Sequence, residues 1–358
     1  MFHTTEDIRI QWTKVVLPPV FLEEESPVTE AASATIYDAR NEITEILGGR
    51  DSRLLVLVGP CSIHDTKAAR EYAALLRSAI AEFSSELRIV MRVYFEKPRT
   101  IVGWKGLIND PYLDQSFKIN DGLRLARRLL LDLAEMGVPT GTEFLDMISP
   151  QYIAGLVSWG AIGARTTESQ VHRQLVSGVS CPVGFKNATS GDVQVAIDAI
   201  QSAAHSHTFL GHTKYGQSAI FVTTGNPDCH IILRGGRGMV NYTAQSVAEA
   251  SEKMKKSGIA PRIMIDFSHA NSNKDYRRQA IVCHDVAQQI ADGNQDIMGV
   301  MIESSLVAGA QKLVPGQPLV YGQSITDACI DWAETHTLLT ELAAAIRTRR
   351  STEHVIRA

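Results

Sequence analysis

The sequence is poor in cysteine, and its cysteines follow none of the patterns that form disulfide frameworks or ribbon-type zinc sites. There are five in 358 residues, an odd number, widely spaced and without a CxxC pair. This usage argues against a disulfide-stapled secreted scaffold and is typical of a reducing compartment. The amino-terminal MFHTTEDIRI carries acids and lacks the apolar segment of a signal peptide, and no stretch approaches the roughly 18 apolar residues of a membrane-spanning helix. We therefore expect a cytoplasmic protein with no membrane partner.

An excess of positive charge is also missing. Lysine and arginine number 35 against 39 acidic residues, which gives a formal net charge of -4. A surface that binds nucleic-acid phosphates needs a basic excess, so the composition argues against a nucleic-acid partner while leaving room for a small basic pocket. Hydrophobic residues make up 44% and charged residues 21%, which is ordinary for a globular protein with a sizeable core.

A regular alternation of short apolar segments and helix-period stretches begins at residue 54. Stretches such as KAAREYAALLRSAIAEF and GLRLARRLLLDLAEMG separate most of the apolar segments, which is the pattern of parallel strands linked by helices. Eight such units predict an α/β protein built as a (β/α)8 TIM barrel. The predicted strands are residues 54–58, 88–93, 138–143, 160–165, 182–186, 230–234, 262–267 and 297–303.

The first 50 residues lack a strong strand signal and are predicted to form an extension. The Pro18-Pro19 pair predicts an extended segment, and the apolar spacing from Ala31 to Leu47 predicts a helix. Apolar side chains beside the proline pair need a partner surface, and such arms commonly pack on a neighbouring subunit. We therefore expect residues 1–50 to serve oligomerisation and residues 51–358 to form the barrel.

A second interruption precedes the sixth predicted strand. Residues 207–228, HTFLGHTKYGQSAIFVTTGNPD, alternate between polar and apolar side chains as a β-hairpin does. Gly211 and Gly216 are the candidate turn or bulge positions. The sequence therefore predicts a hairpin inserted into the barrel.

The carboxyl ends of the predicted strands carry an unusual set of ionisable side chains. Functional groups of such barrels lie at these ends. An unpaired charge buried there would be strongly destabilising, so these side chains need partners or ligands. In chain order the residues at or just after the strand ends are Cys61, Arg92, Glu143, Arg165, Lys186, Arg234, His269 and Glu303.

Four cations of this set, Arg92, Arg165, Lys186 and Arg234, are predicted to converge on one barrel mouth. A single arginine at a strand end is adequately explained by a salt bridge at the rim. Four converging cations repel one another unless an anion lies among them. A bound phosphate and carboxylate explain them most simply, since guanidinium groups bind such anions through paired hydrogen bonds.

The loop after the second strand adds a further cationic group. In EKPRT, Lys97 and Arg99 flank Pro98, whose ring fixes its own backbone and restricts the residue before it. Alone this segment would be a solvated charged loop. Beside a cationic rim it predicts a second phosphate site.

The remaining ionisable residues are Cys61, His269, Glu303 and Asp327, the last from YGQSITDAC. A thiolate, an imidazole and two carboxylates could together bind one divalent ion, and zinc, manganese, iron(II) and cobalt are all chemically compatible. No local spacing motif supports this set. Each residue also has an ordinary structural interpretation: a buried thiol, a capped histidine, a rim salt bridge and a helix N-cap.

Long segments of the chain resemble one known family. They include LLVLVGPCSIHD, VMRVYFEKPRTIVGWKGLINDP, TGTEFLDMISPQYI, CPVGFKNATSG, MIDFSHANSNKDYRRQ and YGQSITDAC. Through these segments the sequence resembles class I 3-deoxy-D-arabino-heptulosonate-7-phosphate (DAHP) synthases over essentially its whole length. The resemblance implies a transferase on a metal-containing TIM barrel. Its reaction would condense phosphoenolpyruvate with erythrose 4-phosphate, as the entry step of the shikimate pathway.

The resemblance also implies a role for each matched residue. One divalent ion per subunit, Mn²⁺, Fe²⁺, Co²⁺ or Zn²⁺, would be held by Cys61, His269, Glu303 and Asp327. Phosphoenolpyruvate would be bound by Arg92, Ala164, Arg165, Lys186 and Arg234. Erythrose 4-phosphate would lie along Lys97, Pro98, Arg99 and Thr100. The catalytic groups would be Cys61, Lys97, Glu143 and His269, with Lys97 and Glu143 also touching substrate.

Feedback regulation by an aromatic amino acid is a further implication. The matching positions in the N-terminal extension, the barrel and the hairpin are Asp7, Met147, Pro150, Gln151, Ser180, Phe209 and Gly211. Phenylalanine-sensitive members have serine at the position of Gly211 and tyrosine-sensitive members have glycine, which leaves room for a phenol oxygen. Tyrosine is therefore the expected inhibitor, with phenylalanine the next candidate and tryptophan the last, and the family further implies a homodimer or homotetramer.

Two other functions remain open from the sequence. One is a related synthase that condenses phosphoenolpyruvate with a longer sugar phosphate, against which the KPRT segment argues. The other is a metabolite-sensing barrel without turnover, which a missing metal ligand would favour, and none of the four is missing.

Overall fold

A closed barrel of eight parallel strands forms the centre of the computed structural model, which describes residues 3–99, 101–314 and 316–357. The strands in chain order are β1 (Leu54–Gly59), β2 (Leu87–Arg92), β3 (Thr140–Glu143), β4 (Trp159–Ile162), β5 (Val183–Lys186), β6 (Thr208–His212), β7 (Ser218–Val222), β8 (Cys229–Leu233), β9 (Ile263–Asp266), β10 (Ile297–Glu303), β11 (Val307–Ala310) and β12 (Gln323–Ser324). Strands β1–β5 and β8–β10 build the barrel, and β10 pairs with β1 to close it. The predicted TIM barrel is confirmed.

Helices cover the outside of the barrel. They are α1 (Pro19–Glu25), α2 (Glu30–Leu47), α3 (Thr66–Glu82), α4 (Ile119–Glu135), α5 (Pro150–Ile153), α6 (Gln170–Val176), α7 (Gln194–Ala203), α8 (Ala244–Lys256), α9 (Gln279–Ala291) and α10 (Trp332–Arg357). Short 3-10 turns occupy Ala154–Leu156 and Tyr276–Arg278. No helix in the described ranges is long and apolar enough to span a membrane.

Strand β1 shows why these segments become barrel strands. Every residue of LLVLVG is buried, because the helices cover one face and the barrel interior the other. Its register places Gly59 beside Glu303 at the end of β10. Gly59 has φ +149, and a Cβ there would lie 3.0 Å from the backbone oxygen of Arg92. Glycine thus lets the carboxyl ends of β1 and β2 approach closely.

The N-terminal extension folds onto the barrel, and one prediction about it is wrong. The Pro18-Pro19 pair is not an extended linker: helix α1 begins at Pro19, because the fixed φ of proline suits the first helical position, where no N–H bond is needed. Buried Arg127 of α4 anchors this helix by donating to the carbonyl of Leu22 at 3.1 Å. Helix α2 buries Ile43 among the side chains of the barrel interior.

The inserted hairpin is present as β6 and β7, which pair antiparallel with Phe209 stacked on Phe221 at 6.0 Å between ring centroids. Gly216 lies in the turn with φ +76, as predicted. The prediction for Gly211 is wrong, since this residue pairs with Ala219 inside the strand. Polar–apolar alternation locates a hairpin, but it does not determine which glycine makes the turn.

Candidate active site at the carboxyl ends of the strands

A cavity of about 650 Å³ opens at the carboxyl ends of the barrel strands. The predicted site residues in its wall are Lys97, Pro98, Arg99, Glu143, Ala164, Arg165, Lys186, Arg234, His269, Glu303 and Asp327. Cys61 and Arg92 are not in the wall; both are fully buried behind it. Thr100 lies outside the described residues.

Three predicted metal ligands form one cluster. One donor atom each from Cys61, Glu303 and Asp327 can be chosen so that all lie within 4.8 Å of one another. Cys61 follows β1 and Glu303 ends the neighbouring β10, so strand pairing brings two of them together. Asp327 arrives from the segment after β12, and its Oδ2 lies 3.5 Å from Cys61 Sγ. These donors lie close enough together to share one metal ion.

Lys97 adds a cation to this cluster. Its Nζ lies 3.1 Å from Cys61 Sγ and 3.3 Å from the carbonyl oxygen of the same residue. Burial raises the pKa of Cys61 to about 12, and Glu303 adds to the increase while Lys97 opposes it. Burial would lower the pKa of Lys97, but Cys61, Glu303 and Glu143 outweigh it and the pKa is raised. Lys97 is therefore an ammonium group, and because the pKa of Cys61 stays raised despite it, the thiol needs a further positive charge to ionise.

His269, the fourth predicted ligand, lies on the same cavity but outside this cluster in the described chain. Its Nδ1 is 2.9 Å from Asp266 Oδ2 and 2.8 Å from Ser268 Oγ. Its backbone has φ +58, and Lys274 N donates to its carbonyl oxygen at 2.8 Å. The loop after β9 thus fixes the imidazole through one nitrogen.

The four predicted cations divide into two pairs. Arg92 Nη2 lies 3.2 Å from Glu303 Oε1, and Lys186 Nζ lies 2.9 Å from Asp266 Oδ2, so both have buried carboxylate partners. Arg165 and Arg234 form no salt bridge within the residues described. Burial lowers the pKa of Arg234, and Arg165 lowers it further. Arg92 and Lys186 therefore have protein carboxylates as counter-charges, while Arg165 and Arg234 in the wall have none in the described chain and remain available to an anion.

Sequence reasoning missed Asp266. This carboxylate ends β9, is fully buried, accepts hydrogen bonds from Lys186 and Ser268, and lies 2.9 Å from Nδ1 of His269. Burial would raise its pKa, but Lys186 and His269 more than offset the effect and hold it well below the usual range. The sequence did contain a signal: an aspartate ends the otherwise apolar run IMID. A carboxylate at the end of such a run needs a polar partner, and the strand itself offers none.

The predicted regulatory residues are only partly brought together. The hairpin turn meets the extension and α5 at Lys214, whose Nζ lies 2.7 Å from Glu23 Oε1 and also donates to the carbonyl of Gln151. Met147 and Pro150 belong to the same α5 region, and Phe209 and Gly211 lie in β6. Asp7 and Ser180 are exposed, and no hydrogen bond or ion pair of the described residues joins them to the other five.

The fold and the cavity define a TIM-barrel enzyme whose mouth combines a thiol–carboxylate cluster with two arginines that form no salt bridge to the described residues. The family model for the DAHP synthetase I family matches residues 26–340. The chain belongs to the DAHP synthetase I family, as the sequence resemblance predicted.

Individual relatives agree with this assignment. The chain is 60% identical over 350 residues to the "Phospho-2-dehydro-3-deoxyheptonate aldolase, Phe-sensitive" of Escherichia coli (strain K12), covering 98% of this chain and 100% of the relative. It is 52% identical over 347 residues to a Trp-sensitive protein of that name from Shigella flexneri, covering 97% and 99%. A solved structure of the Francisella tularensis SCHU S4 aldolase superposes with a TM-score of 0.93 at 53% identity, covering 95% of this chain and 99% of that one.

Proposed function

We propose that this chain catalyses the condensation of phosphoenolpyruvate with erythrose 4-phosphate to give DAHP and phosphate, the first step of the shikimate pathway. The name shared by the relatives supports this reaction. The observation that carries it is the placement of Arg165 and Arg234, unpaired within the described chain, on the same cavity as Lys97 and the carboxylates of Glu303 and Asp327. Such a wall has the charges needed to bind two phosphorylated anions beside a metal-binding cluster.

The donor set fits a divalent cation. A thiol whose pKa is raised by burial becomes a thiolate when a metal ion supplies the compensating charge, and two carboxylates lie within reach of the same point. Cys61, Glu303 and Asp327 would hold the ion, with His269 as the fourth ligand. Mn²⁺, Fe²⁺, Co²⁺ and Zn²⁺ all suit this mixture of donors. The bound ion would supply Lewis-acid polarisation of the aldehyde oxygen of erythrose 4-phosphate.

The chain's own residues bind and orient the substrates. Arg165, Lys186 and Arg234 would grip the carboxylate and phosphate of phosphoenolpyruvate through charge-assisted hydrogen bonds, with Ala164 beside them. Arg92, buried behind the wall, would act mainly by holding Glu303 in place. Holding both substrates in one cavity replaces a bimolecular encounter with an oriented one.

The loop after β2 would hold erythrose 4-phosphate. Arg99 Nε donates to the carbonyl of Trp104 at 2.7 Å, which fixes the direction of the guanidinium beside Pro98. Lys97 is a charged ammonium group in the cavity wall and can donate a proton to a developing alkoxide. Glu143 is a further group of this wall that can hold or move a proton.

Feedback inhibition by tyrosine is part of the proposal, although the relatives named above are Phe- and Trp-sensitive. A Cβ at Gly211 would lie 2.9 Å from the ring of Phe221, so a larger residue there would displace the ring stacked on Phe209. The absence of a side chain at Gly211 thus leaves free space beside the stacked rings of Phe209 and Phe221. Residues 1–50 would be the regulatory and oligomerisation extension, and residues 51–358 the catalytic barrel.

A homodimer or homotetramer is proposed from the same extension. Its apolar side chains Ile8, Ile10, Trp12 and Val15 are all more than half exposed in the single chain. Burying such side chains on a second copy would remove them from water. Light scattering of the purified protein measures the subunit number, and a monomer at all concentrations would contradict this part of the proposal.

The function is tested by measuring phosphoenolpyruvate consumption with erythrose 4-phosphate as the acceptor. We expect turnover, its loss after stringent chelation, and its recovery when Mn²⁺, Fe²⁺, Co²⁺ or Zn²⁺ is added back. Arabinose 5-phosphate in the same assay tests the neighbouring synthase function and should be a poor acceptor. Turnover that survives complete metal removal would contradict the metal's role, and no turnover with any added ion would favour the sensing barrel.

Inhibitor choice is tested by adding tyrosine, phenylalanine or tryptophan to this assay. We expect tyrosine to inhibit most strongly in the wild type and Gly211→Ser to weaken tyrosine inhibition relative to phenylalanine. Inhibition of the wild type by phenylalanine alone would refute the tyrosine assignment.

A further inference from the structure

Asp266 is a fully buried carboxylate with four polar contacts to three residues beside the cavity, Lys186, His269 and Ser268. Its Oδ2 lies 2.9 Å from Lys186 Nζ and 2.9 Å from His269 Nδ1. Its Oδ1 accepts from Ser268 N at 3.0 Å and from Ser268 Oγ at 2.6 Å. The side chain is fully buried and does not line the cavity, so it cannot touch substrate directly. Its influence on the site must pass through its partners.

These contacts determine which nitrogen of His269 carries the proton. An ionised carboxylate has no proton to donate, so an N–H group at Nδ1 suits the 2.9 Å approach to Asp266 Oδ2, whereas a lone pair there would face its negative charge. The hydroxyl of Ser268 gives its proton to Asp266 Oδ1, which leaves it only as an acceptor toward the same Nδ1. Both neighbours therefore require N–H at Nδ1, and in the neutral ring Nε2 carries the free lone pair that a metal ion needs.

The loop backbone holds the ring in the same position. His269 lies at φ +58, a conformation that side chains other than glycine adopt rarely and only when surrounding contacts impose it. Lys274 N at 2.8 Å and Ser272 Oγ at 3.3 Å both donate to its carbonyl oxygen. The imidazole is thus fixed by its main chain and by Asp266 together.

Lys186 depends on the same oxygen atom. Its side chain is almost completely buried, and Asp266 is its salt-bridge partner within the described ranges. Without that carboxylate a buried ammonium would lack a counter-charge and would move toward water or toward another anion. One carboxylate oxygen therefore sets the position of a residue proposed for phosphoenolpyruvate and of a residue proposed for the metal ion.

We propose that Asp266 is a positioning residue that couples the two halves of the site, by presenting Nε2 of His269 to the metal ion and the ammonium of Lys186 to phosphoenolpyruvate. This inference rests on the proposed function. A carboxylate that only stabilised the barrel would contribute to the free energy of unfolding without preferentially weakening either ligand.

The test compares wild type, Asp266→Asn, Ser268→Ala and the exposed Asp292→Asn in three measurements. Metal-free protein is titrated with Co²⁺, whose absorption spectrum reports thiolate and imidazole coordination. Phosphoenolpyruvate affinity is measured by calorimetry on the Co²⁺-loaded proteins, without turnover. Urea unfolding separates loss of stability from loss of binding. Asp292 lies at the exposed end of α9, so its variant controls for removing one negative charge.

We expect Asp266→Asn to weaken Co²⁺ binding about 10- to 100-fold and to change the absorption bands of the bound ion. Its phosphoenolpyruvate affinity should fall about tenfold or more, since a buried charge-assisted contact of Lys186 is lost. Ser268→Ala keeps the Oδ2 contacts, so it should weaken Co²⁺ binding less and leave phosphoenolpyruvate affinity close to that of wild type. Asp292→Asn should match wild type in both.

The inference is overturned if Asp266→Asn binds Co²⁺ and phosphoenolpyruvate as tightly as wild type with an unchanged spectrum. It is also overturned if the wild type binds no Co²⁺. If Asp266→Asn fails to fold, Ser268→Ala decides: Co²⁺ affinity equal to wild type rejects the proposal. Turnover of the wild type with both substrates is measured separately, so a failure of the proposed function is distinguishable from a failure of this inference.

Discussion

Glu96 allows a sharp test of how burial controls ionisation near the cavity. Its side chain is 4% exposed, and Ser149 Oγ donates to its Oε2 at 2.9 Å. Burial raises the pKa of Glu96 to about 7, from 4.5 for an ordinary glutamic acid, and nearby Asp146 and Glu143 add to the increase. The native state therefore binds this proton more tightly than the unfolded chain does.

The sign of the pH dependence follows from this difference. The raised pKa contributes stability that is fully present below pH 4.5 and is lost as the pH rises to about 7. At about 1.4 kcal/mol for each pKa unit, the total loss approaches 3.5 kcal/mol above pH 7. Glu96→Gln carries no titratable proton, and its amide oxygen can still accept from Ser149. Relative to wild type, its free energy of unfolding should rise by about 2–3 kcal/mol between pH 5 and pH 8.

Urea unfolding at several pH values measures this difference, at one protein concentration and with the slope m checked for each variant. Every other group titrates in both proteins, so the difference isolates Glu96. Glu135→Gln, at the exposed end of α4, controls for the loss of one surface charge. If the difference in unfolding free energy between Glu96→Gln and wild type stays constant from pH 5 to pH 8, the pKa of Glu96 is not raised by burial.

Three further experiments test other parts of the structure. Cys61→Ser should leave the circular dichroism spectrum unchanged but greatly reduce retained metal and activity, and a fully active, metal-replete variant would count against Cys61 as a ligand. Arg92→Leu leaves Glu303 buried without its ion-pair partner and should lower the free energy of unfolding by about 3–5 kcal/mol. An unchanged midpoint of urea unfolding would contradict this prediction. Gly106→Ala, with φ +119 and a Cβ directed at a backbone carbonyl, should cost more stability than Gly137→Ala, which meets nothing within 4 Å and should cost about 1 kcal/mol. Equal losses of unfolding free energy in the two variants would show that the backbone near Gly106 shifts and removes the close contact.

Much of the fold could be predicted because its causes are local. The run LLVLVG becomes β1 because each of its side chains can be buried, and KAAREYAALLRSAIAEF becomes α3 because its apolar side chains recur at helical spacing. The carboxyl ends of such strands meet at one mouth, so the ionisable residues after them could be identified as site candidates. The error at Pro18-Pro19 arose because proline suits both an extended segment and the first position of a helix.

The pairing of charges within the site could not be predicted, because it depends on contacts between residues far apart in the chain. Lys186 and Asp266 are separated by 80 positions, and Arg92 and Glu303 by 211. Only the barrel register and the loop after β9 decide that these cations have buried carboxylates while Arg165 and Arg234 form no salt bridge in the described chain. The sequence by itself determined which residue types reach the mouth of the barrel. The tertiary structure decided which of them neutralise one another and which remain available to a ligand, because Coulomb energy depends on distances that the folded chain alone sets.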